Sequence, residues 1–228
     1  MASSPITLFT QFKDEPGYSS VFFKGVKLKR RIVSLMSEKS EMTVNDISGF
    51  LNVSTPKAGE LLSELVEEKL VKEIGKRSVG PGRKASLYSL RHDNCYFLGV
   101  EIKKYKINLG LMGFDKSIIK SKLDIPFLYQ EAEESIVVII SLIQDFLKEI
   151  KIDKSKIAGV GVSIAGRINV RTSEILTIYH FSNAPVKAIL EKKLGIPVYL
   201  DNDSRTIAYG EFHFGNRNQE KEVLVMNL

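Results

Sequence analysis

Residues Thr43–Leu90 decide the fold of the first third of this chain, and they read TVNDISGFLNVSTPKAGELLSELVEEKLVKEIGKRSVGPGRKASLYSL. Thr43 is followed three residues later by Asp46, a pairing typical of the capping box that starts a helix. Apolar residues with helical spacing come next: Val44, Ile47 and Leu51. The segment is therefore predicted to begin with a short amphipathic helix.

A second helix is predicted directly after the turn made by Asn52 and Val53. It begins at Ser54 or Thr55, and Pro56 suits its first turn because the missing N–H of proline would be unpaired there anyway. Its apolar residues recur at intervals of three and four and predict one buried face: Ala58, Leu61, Leu62, Leu65 and Val66. This face should pack against the preceding helices.

The segment ends in two predicted strands that are joined by a basic, glycine-rich loop. The loop holds Arg77, Gly80, Pro81, Gly82, Arg83 and Lys84. Upstream, residues 24–38 predict a first helix with one apolar face, formed by Leu28, Ile32, Leu35 and Met36, and an opposite basic face, formed by Lys27, Lys29, Arg30 and Arg31. Three helices followed by a hairpin predict a winged helix-turn-helix over residues 21–92.

Charge separates this segment from the rest of the chain. Residues 21–92 hold 14 Lys and Arg against 8 Asp and Glu, whereas the other residues hold 19 of each kind, so the whole net charge of +6 lies here. Attraction to phosphate does not depend on sequence, and salt weakens it. A basic module beside an electroneutral remainder indicates binding to double-stranded DNA, although charge alone also fits a solvated face without a partner.

The predicted DNA contacts lie on two elements. The start of the later helix of such a motif enters the major groove, so the side chains off its apolar face are candidates for contacting bases or phosphates: Ser54, Thr55, Lys57 and Glu60. The hairpin would supply Arg77, Arg83 and Lys84, because arginine at a hairpin tip can enter a narrow minor groove. Helix capping alone is the alternative for the two hydroxyl residues, and a solvated hairpin is the alternative for the loop.

Composition is that of a globular protein, with 43% hydrophobic and 26% charged residues. No apolar run approaches the roughly 20 residues that span a bilayer, and the first residues do not resemble a signal peptide, so a cytoplasmic protein without membrane contact is predicted. Residues 1–20 are predicted to form an arm outside the core. Cys95 is the only cysteine and the 3 histidines lack metal-ligand spacing, so neither a metal nor a cofactor is expected.

From Cys95 onwards the pattern changes to strands. Three apolar or alternating runs predict an antiparallel meander: residues 96–102, 106–112 and 117–125. Helices near 132–149, 185–194 and 203–213 then alternate with strands at 157–164 and 197–200. This order predicts an α/β fold, in which residues 93–228 form a ribonuclease-H-like or actin-like ATPase half domain.

Several stretches of this half domain resemble, in order and spacing, the landmarks of the ROK family of sugar kinases and sugar-responsive repressors. They are Phe97–Glu101, Gly159–Ile168, Leu194–Val198, Asp201–Asp203, Gly210–Glu211 and Gly215. Gly82 and Arg83 are similar to the wing tip of the repressor branch. The resemblance covers residues 24–228. It implies a DNA-binding transcriptional repressor of carbohydrate metabolism genes with a kinase-like sensor domain.

The resemblance also implies roles for individual residues. Asp203 matches the family's catalytic base and Asn202 a neighbouring sugar contact, although capping of a helix is an equal alternative for both. Kinases of the family bind ATP phosphates through an Asp and a Gly-Gly-Thr turn after the first strand, where this chain has Glu101–Tyr105, EIKKY. Bulky side chains would obstruct a phosphate there, so no catalytic residue is predicted.

The family continues beyond the strand predicted at residues 222–228 into a second lobe, and the sugar cleft lies between the two lobes. From this resemblance we expect the chain to be a natural truncation, a fragment or one half of something larger. A strand at this place with uncovered apolar faces would need a partner.

Three functions of different classes follow. The first is a sequence-specific repressor in which a sugar or sugar phosphate shifts a homodimer between two states and loosens its hold on an operator. The alternative is an ATP-dependent, glucokinase-like sugar kinase with an appended DNA-binding domain. The third is an interaction module whose winged domain contacts protein, and it would lack the steep salt dependence of DNA binding.

Overall fold

The structure is a computed structural model of the chain. It describes residues 20–80, 83–128, 133–169, 172–176, 186–215 and 224–226, and at a few positions, Arg83 among them, it describes the backbone alone. The chain divides into two compact units, one with Met1–Tyr96 and Gly113–Ser117, the other with Phe97–Met112 and Ile118–Leu228. The predicted arm at residues 1–20 lies outside the described residues except for the backbone of Ser20.

The first unit packs three helices against a small antiparallel sheet. Its elements are α1 (Ser20–Lys39), β1 (Glu41–Thr43), α2 (Val44–Leu51), α3 (Thr55–Glu67), β2 (Val71–Gly80) and β3 (Arg83–Leu90). The strand order is β1-β3-β2, and both pairings are antiparallel. The sequence does not predict strand β1, because three residues are too few to show the alternation of apolar and polar side chains that is typical of a strand.

Capping residues set the boundaries of α2 and α3. The hydroxyl of Thr43 accepts from the N–H of Asp46 at 3.2 Å, and the Asp46 carboxylate accepts from the N–H of Thr43 at 2.8 Å, which completes the predicted capping box. Asn52 ends α2 at φ 55°, a left-handed conformation that asparagine tolerates. Ser54 caps α3 by accepting from the N–H of Lys57.

An apolar core joins the three helices to the sheet. Its most deeply buried side chains include Ile32, Met36, Met42, Ile47, Leu61, Leu62, Leu65 and Leu70. Val66, which was predicted on the same face of α3, is 38% exposed. It follows Leu65 by one residue, and a rotation of about 100° around the helix axis carries it to the edge of the buried face.

Lys29 differs from Lys27, Arg30 and Arg31 on the predicted basic face of α1, because its side chain is largely buried. Its ammonium lies 2.6 Å from Glu68 and 3.1 Å from Glu64, both at the end of α3, and its side chain is only 12% exposed. Burial alone would lower the pKa of Lys29, but the hydrogen bonds from its ammonium to the two carboxylates outweigh burial and raise the pKa. This ion triplet ties α1 to α3.

The second unit is built on a five-stranded sheet. Its elements are β4 (Tyr96–Ile102), β5 (Lys106–Gly113), β6 (Ile118–Pro126), α4 (Glu133–Ile150), β7 (Ile157–Ile164), β8 (Ile168–Asn169), β9 (Glu174–Ile175), α5 (Val186–Leu194), β10 (Val198–Asn202) and α6 (Asp203–Phe214). The sheet order is β10-β7-β4-β5-β6, with β10 parallel to β7 and β6 antiparallel to β5. The predicted mixed α/β fold with an actin-like sheet is confirmed.

Burial along the strands follows their place in this sheet. Strand β7 lies between two neighbours and is buried along most of its length, as its apolar run IAGVGVSI predicts. Strand β6 lies at the edge and is mostly exposed, and its Lys120 and Lys122 disfavour pairing with another chain. The β8–β9 hairpin is too short for sequence periodicity to reveal.

The end of the chain is only partly described. Of the strand predicted at residues 222–228, the structure describes residues 224–226, which belong to no strand. Leu224 is 87% exposed and Met226 75% exposed. Among the helices that the structure describes, none is long and apolar enough to cross a bilayer.

Replacing Lys29 with methionine should lower the free energy of unfolding by about 1–2 kcal/mol, because Glu64 and Glu68 would lose the cation that they share. The matched control is Lys27→Met at an exposed position of the same helix, and it should change the free energy by less than about 0.5 kcal/mol. Urea unfolding followed by amide hydrogen exchange in α1 and α3 measures both variants. Equal effects in the two variants would contradict the role assigned to Lys29.

Candidate functional site

The exposed start of α3 brings together the four residues predicted to face the major groove. Ser54 and Thr55 are exposed, and the ammonium of Lys57 lies 2.8 Å from the carboxylate of Glu60. Ser54 also caps the helix, and its contact with DNA stays a prediction. Thr55 is the first helical residue, and its hydroxyl lies 3.5 Å from that of Ser48 in α2.

The Lys57–Glu60 pair is open to exchange with another anion. The two side chains are 40% and 57% exposed, and exposed ion pairs contribute little net stability. A phosphate near the start of α3 would also meet the positive end of the helix dipole, although Pro56 has no N–H and the N–H of Lys57 already bonds to Ser54. This end of α3 is therefore chemically suited to an anion, with Lys57 able to leave Glu60 for it.

The basic hairpin residues lie on strands instead of in a loop. Strand β2 extends to Gly80, so Arg77 and Lys84 are paired strand residues, which corrects the predicted loop. The sequence did not show this because both faces of this part of the hairpin are largely exposed and leave no apolar alternation to detect. Arg83 begins β3, but its side chain and residues 81–82 lie outside the described residues.

The carboxylate of Asp46 receives three hydrogen bonds at one oxygen. Its Oδ2 accepts from the N–H and the hydroxyl of Thr43, each at 2.8 Å, and from the guanidinium of Arg77 at 2.7 Å. Burial alone would raise the pKa of Asp46, but the hydrogen bonds from Thr43 and the charge of Arg77 outweigh burial and lower it. Sequence reasoning found the capping box but missed Arg77, which is 31 residues away.

Asn202 and Asp203 lie where β10 ends and α6 begins. Asn202 accepts from the N–H of Arg205 at 3.1 Å, so it caps α6, and its amide donates to the carbonyl of Gly166 at 2.7 Å and to the carboxylate of Asp203 at 2.9 Å. The same Asp203 oxygen accepts from the N–H of Ser204 at 2.7 Å. Capping of α6 by Asn202 is therefore observed, and sugar binding stays a prediction for both residues. Both residues also lie at the carboxyl ends of parallel strands, where α/β sheets bind ligands.

Further polar contacts hold α6 against the neighbouring strand β7 and the end of β10. The guanidinium of Arg205 donates to the carboxylate of Asp201 at 2.7 Å, and the hydroxyls of Ser163 and Thr206 lie 2.8 Å apart. A groove of about 700 Å³ follows the same helix, and its lining includes Arg205, Tyr209, Phe212 and His213. Sequence reasoning gave no role to this face of α6.

The turn after β4 is where the resemblance implies a phosphate-binding loop in kinases. The N–H of Lys103 donates to the carbonyl of Lys106 at 2.9 Å, which closes a tight connection without glycine. The Glu101 carboxylate is engaged by the ammonium of Lys103 at 3.1 Å and by the amide of Asn108 at 2.6 Å. This turn therefore presents an occupied carboxylate and bulky side chains where a phosphate would have to approach the backbone.

Residues 97–228 match the ROK family. The xylose repressor of Caldicellulosiruptor bescii is 23% identical over 184 residues, which are 80% of this chain and 46% of that protein. The xylose repressor of Bacillus subtilis is 21% identical over 213 residues, 91% of this chain and 54% of that protein. The chain thus spans about half the length of the curated relatives it matches.

Among the solved structures that resemble this chain is one that covers most of it. It is the crystal structure of a ROK family transcriptional regulator, a homologue of the E. coli MLC protein, with a TM-score of 0.66 and 18% sequence identity. The similarity covers 84% of this chain and 49% of that one.

Replacing Asn202 with alanine should lower the free energy of unfolding by about 1–2 kcal/mol, because α6 loses its N-cap and the Gly166 carbonyl loses a donor. Gln144→Ala on the exposed face of α4 is the control, with a change below about 0.5 kcal/mol expected. Urea unfolding with amide hydrogen exchange in α6 measures both. A neutral Asn202→Ala variant would remove capping as the explanation for this residue.

Proposed function

The chain belongs to the ROK family, and on that premise we propose that it is the DNA-binding and sensor part of a carbohydrate-responsive transcriptional repressor. Residues 21–92 form a winged helix-turn-helix in this proposal, and residues 93–228 form the first lobe of a kinase-like domain that senses the effector. The observation that carries it is the exposed start of α3, with its hydroxyls and Lys57, in the segment that holds the entire net positive charge.

The proposed DNA-binding surface has two parts. Helix α3 enters the major groove, where Ser54, Thr55, Lys57 and Glu60 face bases and phosphates. The tip of the β2–β3 hairpin carries Arg83 and Lys84 towards the adjacent minor groove or backbone. A two-fold homodimer of such units would read two half-sites about one helical turn apart, or a multiple of it.

The proposed sensor site lies at the carboxyl ends of β7 and β10. Asp203 offers its carboxylate and Asn202 the second acceptor position of its amide oxygen to sugar hydroxyls. Xylose or its phosphate is the first candidate effector because curated relatives are named xylose repressors. A ligand can shift the repressor only as far as its affinities for the two states differ. A coupling of about 5–150-fold in operator affinity is typical of such switches.

An ATP-dependent sugar kinase is a weaker candidate for this chain than a repressor. The engaged Glu101 carboxylate and the turn without glycine argue against a phosphate loop after β4. In the repressor proposal Asp203 binds sugar and removes no proton, and the chain needs neither a metal nor a cofactor for its activity.

The double variant Lys57→Ala and Arg83→Ala should weaken retention of random duplex DNA at moderate salt by at least about tenfold, and it should reduce the slope of log affinity against log salt by about 1–2. The control is Lys148→Ala with Lys192→Ala, which removes two exposed charges from the second unit and should leave both quantities unchanged. Filter binding over a salt series measures both variants. Undiminished retention by the double variant would sink the proposed DNA surface.

Xylose or a related sugar should lower the affinity for duplex DNA by about 5–150-fold, and Asp203→Asn should abolish this response while leaving sugar-free affinity unchanged. Fluorescence anisotropy across a panel of pentoses, hexoses and their phosphates measures the response. Equal affinities over the whole panel would contradict the sensing role. Sugar-dependent ATP hydrolysis by the same preparation would place the kinase alternative first.

A further inference from the structure

The β2–β3 hairpin extends beyond the rest of its sheet. Strand β1 pairs with β3 from Ser89 to Leu87, whereas the pairs from Lys76–Ser86 to Gly80–Arg83 join β2 and β3 alone. We call this projecting part, residues 76–80 and 83–86, the ribbon. Two strands by themselves are marginally stable in water. The sheet alone therefore fixes the direction of the ribbon weakly.

A β-bulge lies where the ribbon begins. The register of β2 against β3 shifts between Glu73 and Gly75, and Gly75 has φ 145°, a conformation that favours glycine. Bulges bend the strand and increase its local twist. The bulge therefore bends the hairpin, and a further contact is needed to hold the ribbon at one angle.

Arg77 supplies that contact from inside the ribbon. Arg77 lies on β2, which is on the far side of β3 from β1, and it pairs with Ala85 of β3. Its guanidinium bonds to the Asp46 carboxylate at 2.7 Å. Asp46 is in turn bonded to Thr43, the last residue of β1. The contact thus links the two outer strands of the sheet across β3 and joins the ribbon to the start of α2.

The acceptor in this contact is itself fixed. Two hydrogen bonds from Thr43, whose own exposure is 1%, orient the Asp46 oxygen before Arg77 reaches it. An arginine bound to a pre-oriented carboxylate loses less freedom than one bound to a mobile surface carboxylate, and charge-assisted hydrogen bonds are the stronger kind. The side chains of Arg77 and Asp46 are 47% and 33% exposed, so this pair differs from the Lys57–Glu60 pair in its pre-oriented acceptor and not in its exposure.

We propose that Arg77 is a positioning residue: by bonding to the capping carboxylate of Asp46 it fixes the direction of the ribbon relative to α2 and α3. The consequence for DNA rests on the proposed function. The distance between the hairpin tip and the start of α3 has to match the duplex, so loss of the Arg77–Asp46 contact weakens binding although Arg77 touches no phosphate. This replaces the predicted role of Arg77 as a DNA contact.

Hydrogen exchange on the free protein tests the positioning directly. Arg77→Gln and Asp46→Asn should each raise the exchange rate of the ribbon amides at least about fivefold. The double variant should add little to the larger single effect, because the two single variants remove the same Arg77–Asp46 contact. Lys76→Gln, an exposed neighbour on the same strand, is the control and should leave exchange unchanged. Exchange in both single variants equal to that of the control would overturn the proposal.

Salt-dependent binding to duplex DNA separates positioning from a phosphate contact. Arg77→Gln should lower affinity with an unchanged salt slope, whereas loss of a phosphate contact would reduce the slope by about one and overturn the proposal. Asp46→Asn should also lower affinity, although removing a negative charge by itself would favour DNA. If the unaltered chain retains no duplex at low salt, the proposed function fails, and hydrogen exchange alone decides the role of Arg77.

Discussion

The carboxylate of Asp46 holds together the parts of the first unit on which the proposed function depends. One oxygen closes the capping box that ends β1 and starts α2, and the same oxygen receives Arg77 from β2. Helix α2 leads from this capping box into the turn at Asn52, and α3 follows that turn. In our proposal Thr43 and this carboxylate orient the hairpin, whereas the buried apolar face of α3 holds the helix proposed to read the major groove.

Positive charges in this unit have different uses, which a count of lysines and arginines does not reveal. Lys29 is held by two carboxylates at the end of α3 and supports packing, Arg77 bonds to an Asp46 oxygen that Thr43 orients, and Lys57 pairs with the exposed Glu60. The proposed DNA surface is therefore smaller than the charge of residues 21–92 suggests. Side chains that the fold has already engaged contribute to the field around the molecule more than to contacts.

The second unit combines the sheet of its family with a turn after β4 that differs from the phosphate-binding turn expected of a kinase. The sheet order and the parallel β7–β10 pair form the edge at which we propose the sensor site, with Asn202 and Asp203. In the turn after β4, Lys103 and Asn108 occupy the Glu101 carboxylate. A fold of this kind supports several functions because the strands stay fixed while the residues at their ends change.

The sequence by itself determined the helices and strands that local rules govern: the Thr43–Asp46 box, the capping Ser54, and the apolar periods of α3 and β7 all act over a few residues. Only the tertiary structure decided the partners of Lys29 and Arg77. Glu68 lies 39 residues from Lys29 along the chain, and Asp46 lies 31 residues from Arg77. The tertiary structure also decided the exposure of Val66 and the pairing of β1. Periodicity and capping are properties of a segment, whereas an ion pair between elements exists only once packing has brought those elements together.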